Sequence, residues 1–141
     1  MVSSSQLAKV EFALRDITAT GTKSWMRNAD VDAAIEYIRA SVEGVELTPS
    51  RCAVVGGVFV MYAVGRPWWA SRPVLAEELM LRIEPGANIV PALAFLERTA
   101  QLLDCAGVVL GTSISTNDPA LTRLYGRFGY VESANVLYKE V

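Results

Sequence analysis

The sequence contains no histidine, and this absence excludes several kinds of site. A Ser-His-Asp triad, a Cys-His pair and a zinc site with histidine ligands cannot be assembled within such a chain. Any general base must therefore be a carboxylate, a tyrosinate, a lysine or a relayed water. The two cysteines, Cys52 and Cys105, lie in apolar stretches and are too few to enclose a metal ion. We expect two reduced, buried thiols and no metal site.

Long runs of charged or apolar residues are missing as well. The net charge is −2 and no stretch is dominated by lysine and arginine, so we expect no nucleic acid partner. The longest uncharged stretch, Cys52–Gly65, is too short to span a bilayer and is interrupted by Gly56-Gly57. The first residues do not show the basic start and apolar block of a signal peptide. These observations predict a soluble, cytoplasmic protein without a membrane partner.

The composition is that of a globular protein. Apolar residues make up 52% and charged residues 20% of the 141 positions, which is enough to bury a core. No repeat, low-complexity tract or linker divides the chain. We therefore expect a single domain over residues 1–141.

The first element is ambiguous. Val10, Phe12 and Leu14 alternate with more polar residues, as in a strand, whereas Leu7, Val10, Leu14 and Ile17 follow helical spacing. Both interpretations are open, and we favour the strand.

Later elements are better marked. Asp30 can cap a helix over about 31–41, and Gly56-Gly57 predicts a tight hairpin. A long strand is predicted over 74–83, followed by an apolar helix over about 89–103 capped by Asn88. A buried strand at 107–115, a capped helix within 117–130 and a last strand at 134–141 complete the order. Because a helix connects the long strand to the next one, those two strands should be parallel. The predicted fold class is α/β, with a mixed α+β sheet, twisted and flanked by helices.

The stretch 117–130 reads "NDPALTRLYGRFGY". Together with the element order, it resembles the GNAT superfamily of acyl-CoA N-acyltransferases. More loosely, the stretch "EELMLRIEPG", followed by an apolar helix and "CAGVVLG", resembles small phage-encoded members of that superfamily. Members commonly have an Asn or Asp, then Ala, then Leu-Tyr-x-x-x-Gly-Phe before the last strand. The matching positions here are Asp118, Ala120, Leu124, Tyr125, Gly129 and Tyr130, with Tyr130 in place of the usual Phe.

This resemblance implies a GNAT-like fold and acetyl-CoA as co-substrate. It also implies that Tyr125 protonates the thiolate that leaves the thioester, for which a phenol is sufficient. The alternative is that Tyr125 is a core tyrosine whose hydroxyl reaches a partner within the protein.

In the resembled superfamily, the loop after the long strand binds the CoA pyrophosphate through backbone N–H groups at a helix start. The corresponding N–H groups here belong to Gly86, Ala87, Asn88, Ile89 and Val90, and we expect them to be available. The loop departs from the family pattern Arg/Gln-x-x-Gly-x-Gly/Ala, because it lacks the Arg, is short, and contains Glu84 and Pro91. The other positions that the resemblance assigns to the co-substrate are Met80, Leu81 and Arg82, whose backbone would polarise the thioester, and Asp118.

A general base is also needed to deprotonate an ammonium acceptor. Glu77 and Glu78 are adjacent on the long strand, where the superfamily often has a glutamate, and only one of them can face a cleft. We favour Glu78. The alternative is that one pairs with Arg66 or Arg72 while the other faces solvent.

The loop 65–73 contains two adjacent tryptophans between prolines. Trp68 and Trp69 can cover the edge of the core, form the wall of an acceptor pocket or bind a partner. We expect one to be buried and the other exposed.

The leading functional hypothesis is an acetyl-CoA-dependent N-acetyltransferase that acts by direct transfer in a ternary complex. Its acceptor would be a small amine or a protein amine, and a homodimer is an expected assembly because dimers are common in the superfamily. The rival hypothesis is a catalytically inactive GNAT-like binding or structural protein, for example a virion component of a phage.

Overall fold

The computed structural model describes residues 1–44, 48–112, 114–115, 117–133 and 136–141. The helices are α1 (Ser4–Thr20), a short 3₁₀ helix (Ser24–Asn28), α2 (Val31–Glu43), α3 (Ile89–Leu102) and α4 (Asp118–Gly126). The strands are β1 (Arg51–Val55), β2 (Val58–Gly65), β3 (Val74–Arg82) and β4 (Val108–Val109). No helix within these described ranges is long and apolar enough to cross a membrane.

The four strands form one sheet in the order β1-β2-β3-β4. The first three are antiparallel neighbours, and β4 runs parallel to β3, as the crossover through α3 requires. One face of the sheet packs against α1 and α2, and the other packs against α3 and α4. This arrangement confirms the predicted mixed α+β class.

The first element is a helix, so our preference for a strand was wrong. Ser3 and Gln6 form a reciprocal capping box at its start, in which each side chain accepts a hydrogen bond from the backbone N–H of the other residue. This arrangement is specific to the first turn of a helix. Val10 and Leu14 are 1% and 6% exposed, whereas Phe12 is 76% exposed. The helical spacing therefore decided the structure, because α2 and the sheet bury only one stripe of this segment.

The helix and hairpin that follow agree with the sequence. Asp30 caps α2 by accepting a hydrogen bond from the Ala33 N–H at 3.0 Å. In the hairpin turn, Gly56 and Gly57 have φ values of +59° and +77°, which residues with a Cβ atom adopt at a cost.

The hairpin turn also packs directly on the loop that follows β3. A Cβ atom at Gly56 would lie 3.0 Å from the carbonyl oxygen of Asn88 and 3.3 Å from the Pro91 ring. We therefore expect Gly56→Ala to lower the free energy of unfolding by about 2–3 kcal/mol, measured by urea denaturation. Gly86→Ala is the matched control, because Gly86 has a similar φ of +71° but no atom within 4 Å of the added Cβ. Its cost should be about 1 kcal/mol, and equal losses in the two variants would contradict the close packing.

The carboxyl-terminal third differs most from expectation. The strand predicted over 107–115 is limited to Val108–Val109, and Ser113 lies outside the described residues. The strand predicted over 134–141 is absent from 136–141, while Ala134 and Asn135 lie outside the described residues. Val136 and Leu137 are 95% and 93% exposed. A segment with high strand propensity does not form a strand by itself, because the backbone hydrogen bonds of a strand must be made with a neighbouring strand.

Candidate active site

The two parallel strands β3 and β4 separate after a short contact. They pair only at Leu75 with Val108 and Ala76 with Val109, and beyond these positions the strands diverge. The opening is a cavity of about 510 Å³. It is lined by Glu77, Met80, Leu81 and Arg82 of β3, Gly111, Thr112, Ile114 and Ser115 after β4, Asn117, Ala120, Leu121, Leu124 and Tyr125 at α4, and Ile17, Val58 and Ile89.

A β-bulge in β3 determines which glutamate reaches this cavity. Tyr62 of β2 is opposite Glu77 and Met61 is opposite Leu79, so Glu78 is an extra residue on β3. Glu77 lines the cavity, whereas Glu78 accepts a hydrogen bond from the Ser50 hydroxyl. Our choice of Glu78 as the glutamate that faces the cleft is therefore corrected to Glu77.

The Glu77 carboxylate is held in place at the wall of the cavity, where it could accept a proton from a bound ligand. Its Oε2 accepts a hydrogen bond from the Gly111 N–H at 3.1 Å. Burial raises the pKa of its carboxyl to about 7, with a smaller contribution from the charge of Glu78, while the Gly111 hydrogen bond acts in the opposite direction. A carboxylate with this pKa can both accept and release a proton near neutral pH.

Tyr125 lies on the opposite wall of the same cavity. The residue is only 6% exposed, and its ring packs at 6.0 Å between centroids against Tyr130. Within the described part of the chain, its hydroxyl has no hydrogen-bond partner. Burial and then the negative charge of Glu77 raise its pKa far above the usual value, so it stays protonated. The residues that the structure describes thus do not supply the partner expected of a core tyrosine.

Tyr130 provides a contrast on the same side of the sheet. Its hydroxyl donates a hydrogen bond to Glu97 Oε1 at 3.2 Å. Burial, then the charge of Glu97 and this hydrogen bond, raise its pKa to about 12. Tyr130 does not line the cavity, and its hydroxyl has a structural partner, whereas that of Tyr125 has none within the described ranges.

Local contacts orient α4 and hence Tyr125. Asn117 caps the helix by accepting a hydrogen bond from the Ala120 N–H at 3.1 Å, and Pro119 occupies its first turn. Lys23 forms a salt bridge with Asp118 at 3.0 Å and also donates to the carbonyl oxygen of Thr112. Asp118, which the resemblance assigned to the co-substrate, is therefore paired with Lys23. No local pattern in the sequence identifies Lys23, because its partners lie about ninety positions away.

The free edge of β3 offers backbone groups to the cavity. The Ile83 N–H donates to the Gly57 carbonyl at 3.0 Å, on the β2 side of the strand. Since N–H groups alternate between the two edges of a strand, those of Arg82 and Met80 point toward the cleft. Leu81 is 1% exposed and contributes to the apolar wall.

The loop after β3 is more closed than expected. Ala87 N–H donates to the Glu84 carbonyl at 3.2 Å, Asn88 N–H to the Gly56 carbonyl at 3.0 Å, and Val90 N–H to the Asn88 side chain at 3.0 Å. Of the five N–H groups that we expected to be available, these three are already engaged. Gly86 and Ile89 are the two whose N–H groups have no acceptor within the described residues.

Glu78 belongs to a separate polar chain on the α1–α2 face. Its carboxylate accepts from Ser50, and the Ser50 oxygen lies 2.7 Å from the Tyr37 hydroxyl. The alternative of a pair with Arg66 or Arg72 does not occur among the described residues: neither glutamate forms a salt bridge with them, and Arg72 bonds Asp104 and the Cys105 carbonyl.

Both cysteines are free thiols. Burial and then Glu78 raise the pKa of Cys52 to about 11, which disfavours a reactive thiolate, and Cys105 is buried. Among the residues that the structure describes, no group of three His, Cys, Asp or Glu side chains could hold a metal ion.

The tryptophan loop corrects another expectation. Trp68 and Trp69 are 96% and 64% exposed, so neither is buried. A turn from the Pro67 carbonyl to the Ala70 N–H at 3.1 Å presents both rings to solvent. Neither ring lines the cavity between β3 and β4.

Comparisons with known proteins agree in fold and differ strongly in sequence. No family model matches the sequence, and no curated protein matches it significantly. A putative acetyltransferase from Arthrobacter sp. FB24 aligns with a TM-score of 0.62 at 16% identity, covering 97% of this chain and 91% of that one. An acetyltransferase from Trypanosoma brucei aligns at 0.61 and 12% identity, with coverages of 99% and 95%. AAC(6')-Iy in complex with the bisubstrate analog CoA-S-monomethyl-acetylneamine aligns at 0.50 and 17%, with coverages of 98% and 92%.

Proposed function

We propose, on the premise that this chain has a GNAT-like acyl-CoA N-acyltransferase fold, that the protein is an acetyl-CoA-dependent N-acetyltransferase. The observation that carries the proposal is the cavity between β3 and β4, which Glu77 and Tyr125 both line; the Tyr125 hydroxyl has no hydrogen-bond partner among the described residues. A proton acceptor with a pKa of about 7 and a phenol that stays protonated are the two groups that amide formation from a thioester requires.

The proposed reaction is a direct transfer in a ternary complex. The amine nitrogen attacks the thioester carbonyl carbon, so a C–N bond forms and the C–S bond breaks. Glu77 accepts the proton of the amine, directly or through a water, and Tyr125 donates a proton to the leaving thiolate. The Met80 N–H, on the free edge of β3, would donate to the carbonyl oxygen as negative charge develops on it.

The cavity suits the pantetheine arm of the donor. Its size falls in the range of small-molecule sites, and its walls are largely apolar with few polar groups. The N–H groups of Met80 and Arg82 would pair with the amides of the arm, much as an added strand pairs with a sheet edge. Gly86, Ala87, Asn88, Ile89 and Val90 adjoin the open end, although three of their N–H groups are engaged.

The acceptor in this proposal is an amine, either a small molecule or a protein amine. A protein with a net charge of −2 is compatible with a cationic acceptor, and Glu77 would attract it at the reacting centre.

The proposed location is the cytoplasm. We also propose a homodimer, because β4 is the outermost strand and Val136 and Leu137 are exposed. Light scattering at several protein concentrations would measure it, and a monomer at all of them would contradict it.

A second candidate is a GNAT-like protein without catalysis that serves as a binding or structural component, for example of a phage particle. The engaged N–H groups of Ala87, Asn88 and Val90 and the two exposed tryptophans favour it. In that case the surface formed by Trp68 and Trp69 would bind another protein chain.

The test is release of free thiol from acetyl-CoA in the presence of a panel of amines, peptides and polyamines, with calorimetric titration of acetyl-CoA alongside. Micromolar binding with thiol release that depends on an amine would support the enzyme. Absence of binding up to millimolar acetyl-CoA would overturn it and favour the non-catalytic candidate.

A further inference from the structure

The hydrogen bonds of the loop after β3 bear on which part of an acyl donor the protein recognises. A diphosphate binds at a helix start because several backbone N–H groups there are free to donate to its oxygens. Here Ala87, Asn88 and Val90 already donate to acceptors within the chain, and Pro91 has no N–H. The start of α3 is therefore largely satisfied before any ligand arrives.

The loop also cannot rearrange freely to release these groups. The Asn88 N–H is bonded to the Gly56 carbonyl, and the Ile83 N–H to the Gly57 carbonyl, so both ends of the loop are attached to the hairpin turn. A Cβ atom at Gly57 would lie 3.0 Å from the Glu84 Cβ, which shows how closely the two segments pack. Turning the Asn88 amide outward would break its long-range hydrogen bond to the hairpin turn.

The charges near the loop do not replace the missing donors. Glu84 is paired with Lys9 at 2.7 Å, so this lysine is already neutralised. Among the described residues that line the cavity, Arg82 is the only cation, and its side chain is exposed. A single exposed ion pair contributes little to affinity in water.

The part of the cavity that would receive the pantetheine arm is different. Its walls are preformed, and on the β4 side of β3 the backbone groups of Met80 and Arg82 have no strand partner among the described residues, since β4 pairs only at Leu75 and Ala76. Recognition through main-chain groups and an apolar trough suits a chain of amides and methylenes and does not require phosphate.

We propose that this protein recognises its acyl donor through the acylated pantetheine arm and that the nucleotide end of CoA adds little. The inference rests on the proposed function. S-acetylpantetheine, which lacks the diphosphate and the phosphorylated nucleoside of CoA, is then a donor as well. Its thioester C–S bond breaks as the amide C–N bond forms, the amine proton goes to Glu77, and the pantetheine thiolate takes its proton from Tyr125.

The experiment compares the affinities of acetyl-CoA and S-acetylpantetheine for the full chain by calorimetric titration. We expect the two dissociation constants to lie within about tenfold of each other. A preference for acetyl-CoA greater than about tenfold would overturn this inference and leave the proposed function standing. If neither compound binds up to millimolar concentration, the proposed function fails together with the inference.

Glu84→Gln supplies a matched test of where the phosphates lie. If the diphosphate sat on the loop, removing the neighbouring negative charge would tighten acetyl-CoA binding and leave S-acetylpantetheine unchanged. We expect the ratio of the two dissociation constants to change by less than about twofold. A rise of severalfold in the preference for acetyl-CoA would place the phosphates at this loop and contradict the inference.

Discussion

Replacing Glu77 by Gln should abolish most of the proposed acetyl transfer and, at the same time, make the folded protein more stable at neutral pH. Loss of a general base costs on the order of 10²–10⁴-fold in rate. The gain in stability follows from the pKa of about 7, because burial penalises the charged form of this carboxyl in the folded state. A residue kept for folding would not show these opposite effects, so the pair of readouts separates catalysis from structure.

The pH dependence of the native protein gives the same test without mutation. The folded pKa is raised from 4.5 to about 7, so the folded state holds this proton over a range in which the unfolded state has lost it. The contribution of protonated Glu77 to the free energy of unfolding is therefore fully present below pH 4.5 and is lost as the pH rises through about 7. The free energy of unfolding should fall by about 3 kcal/mol at most over this range. Activity should change in the other direction, with kcat/KM rising up to about pH 7 and then levelling. Glu77→Gln should remove both dependences over this range.

Glu78→Gln is the control for this prediction, because it alters the adjacent carboxylate on the opposite face of the sheet. Its carboxylate contacts Ser50 and does not line the cavity, so the variant should retain activity and its pH profile. Equal losses of activity in the two variants would contradict the assignment of the base to Glu77.

Replacing Tyr125 by Phe should lower kcat by about 10²-fold with little change in stability. The ring packing in the core is retained, and the hydroxyl that is removed has no hydrogen-bond partner in the described structure. Removing an unpartnered hydroxyl leaves no other buried group unsatisfied, so the free energy of unfolding should change by less than about 0.5 kcal/mol. Steady-state kinetics with an identified amine and urea denaturation measure the two quantities.

Tyr130→Phe is the matched control for this second prediction. Its hydroxyl donates to Glu97 and lies outside the cavity, so the variant should lose about 1 kcal/mol of stability and keep its activity. The contrary result, in which Tyr125→Phe destabilises the protein and retains activity, would make Tyr125 a core residue and remove the proposed acid.

Local sequence signals gave most of the secondary structure correctly. The caps at Asp30, Asn88 and Asn117 and the turn at Gly56-Gly57 act within a few residues, so each can be recognised without knowing the rest of the fold. The amino-terminal segment shows the limit of such signals. Its two periodicities were compatible with different structures, and burial of Val10 and Leu14 against distant elements decided between them.

The sequence by itself determined the order of the elements, the parallel arrangement of β3 and β4, and the cluster of motif residues around Tyr125. Three features were decided only by tertiary structure. The bulge selects Glu77 over Glu78 for the cavity, the Gly56 carbonyl of the hairpin accepts the Asn88 N–H, and the turn at Pro67–Ala70 exposes both tryptophans. Each of these depends on a hydrogen bond or a packing contact whose effect cannot be judged from the neighbouring residue types. For that reason the motif and its capped helix could be predicted, whereas the glutamate that lines the cavity and the engaged N–H groups of the loop after β3 required the folded chain.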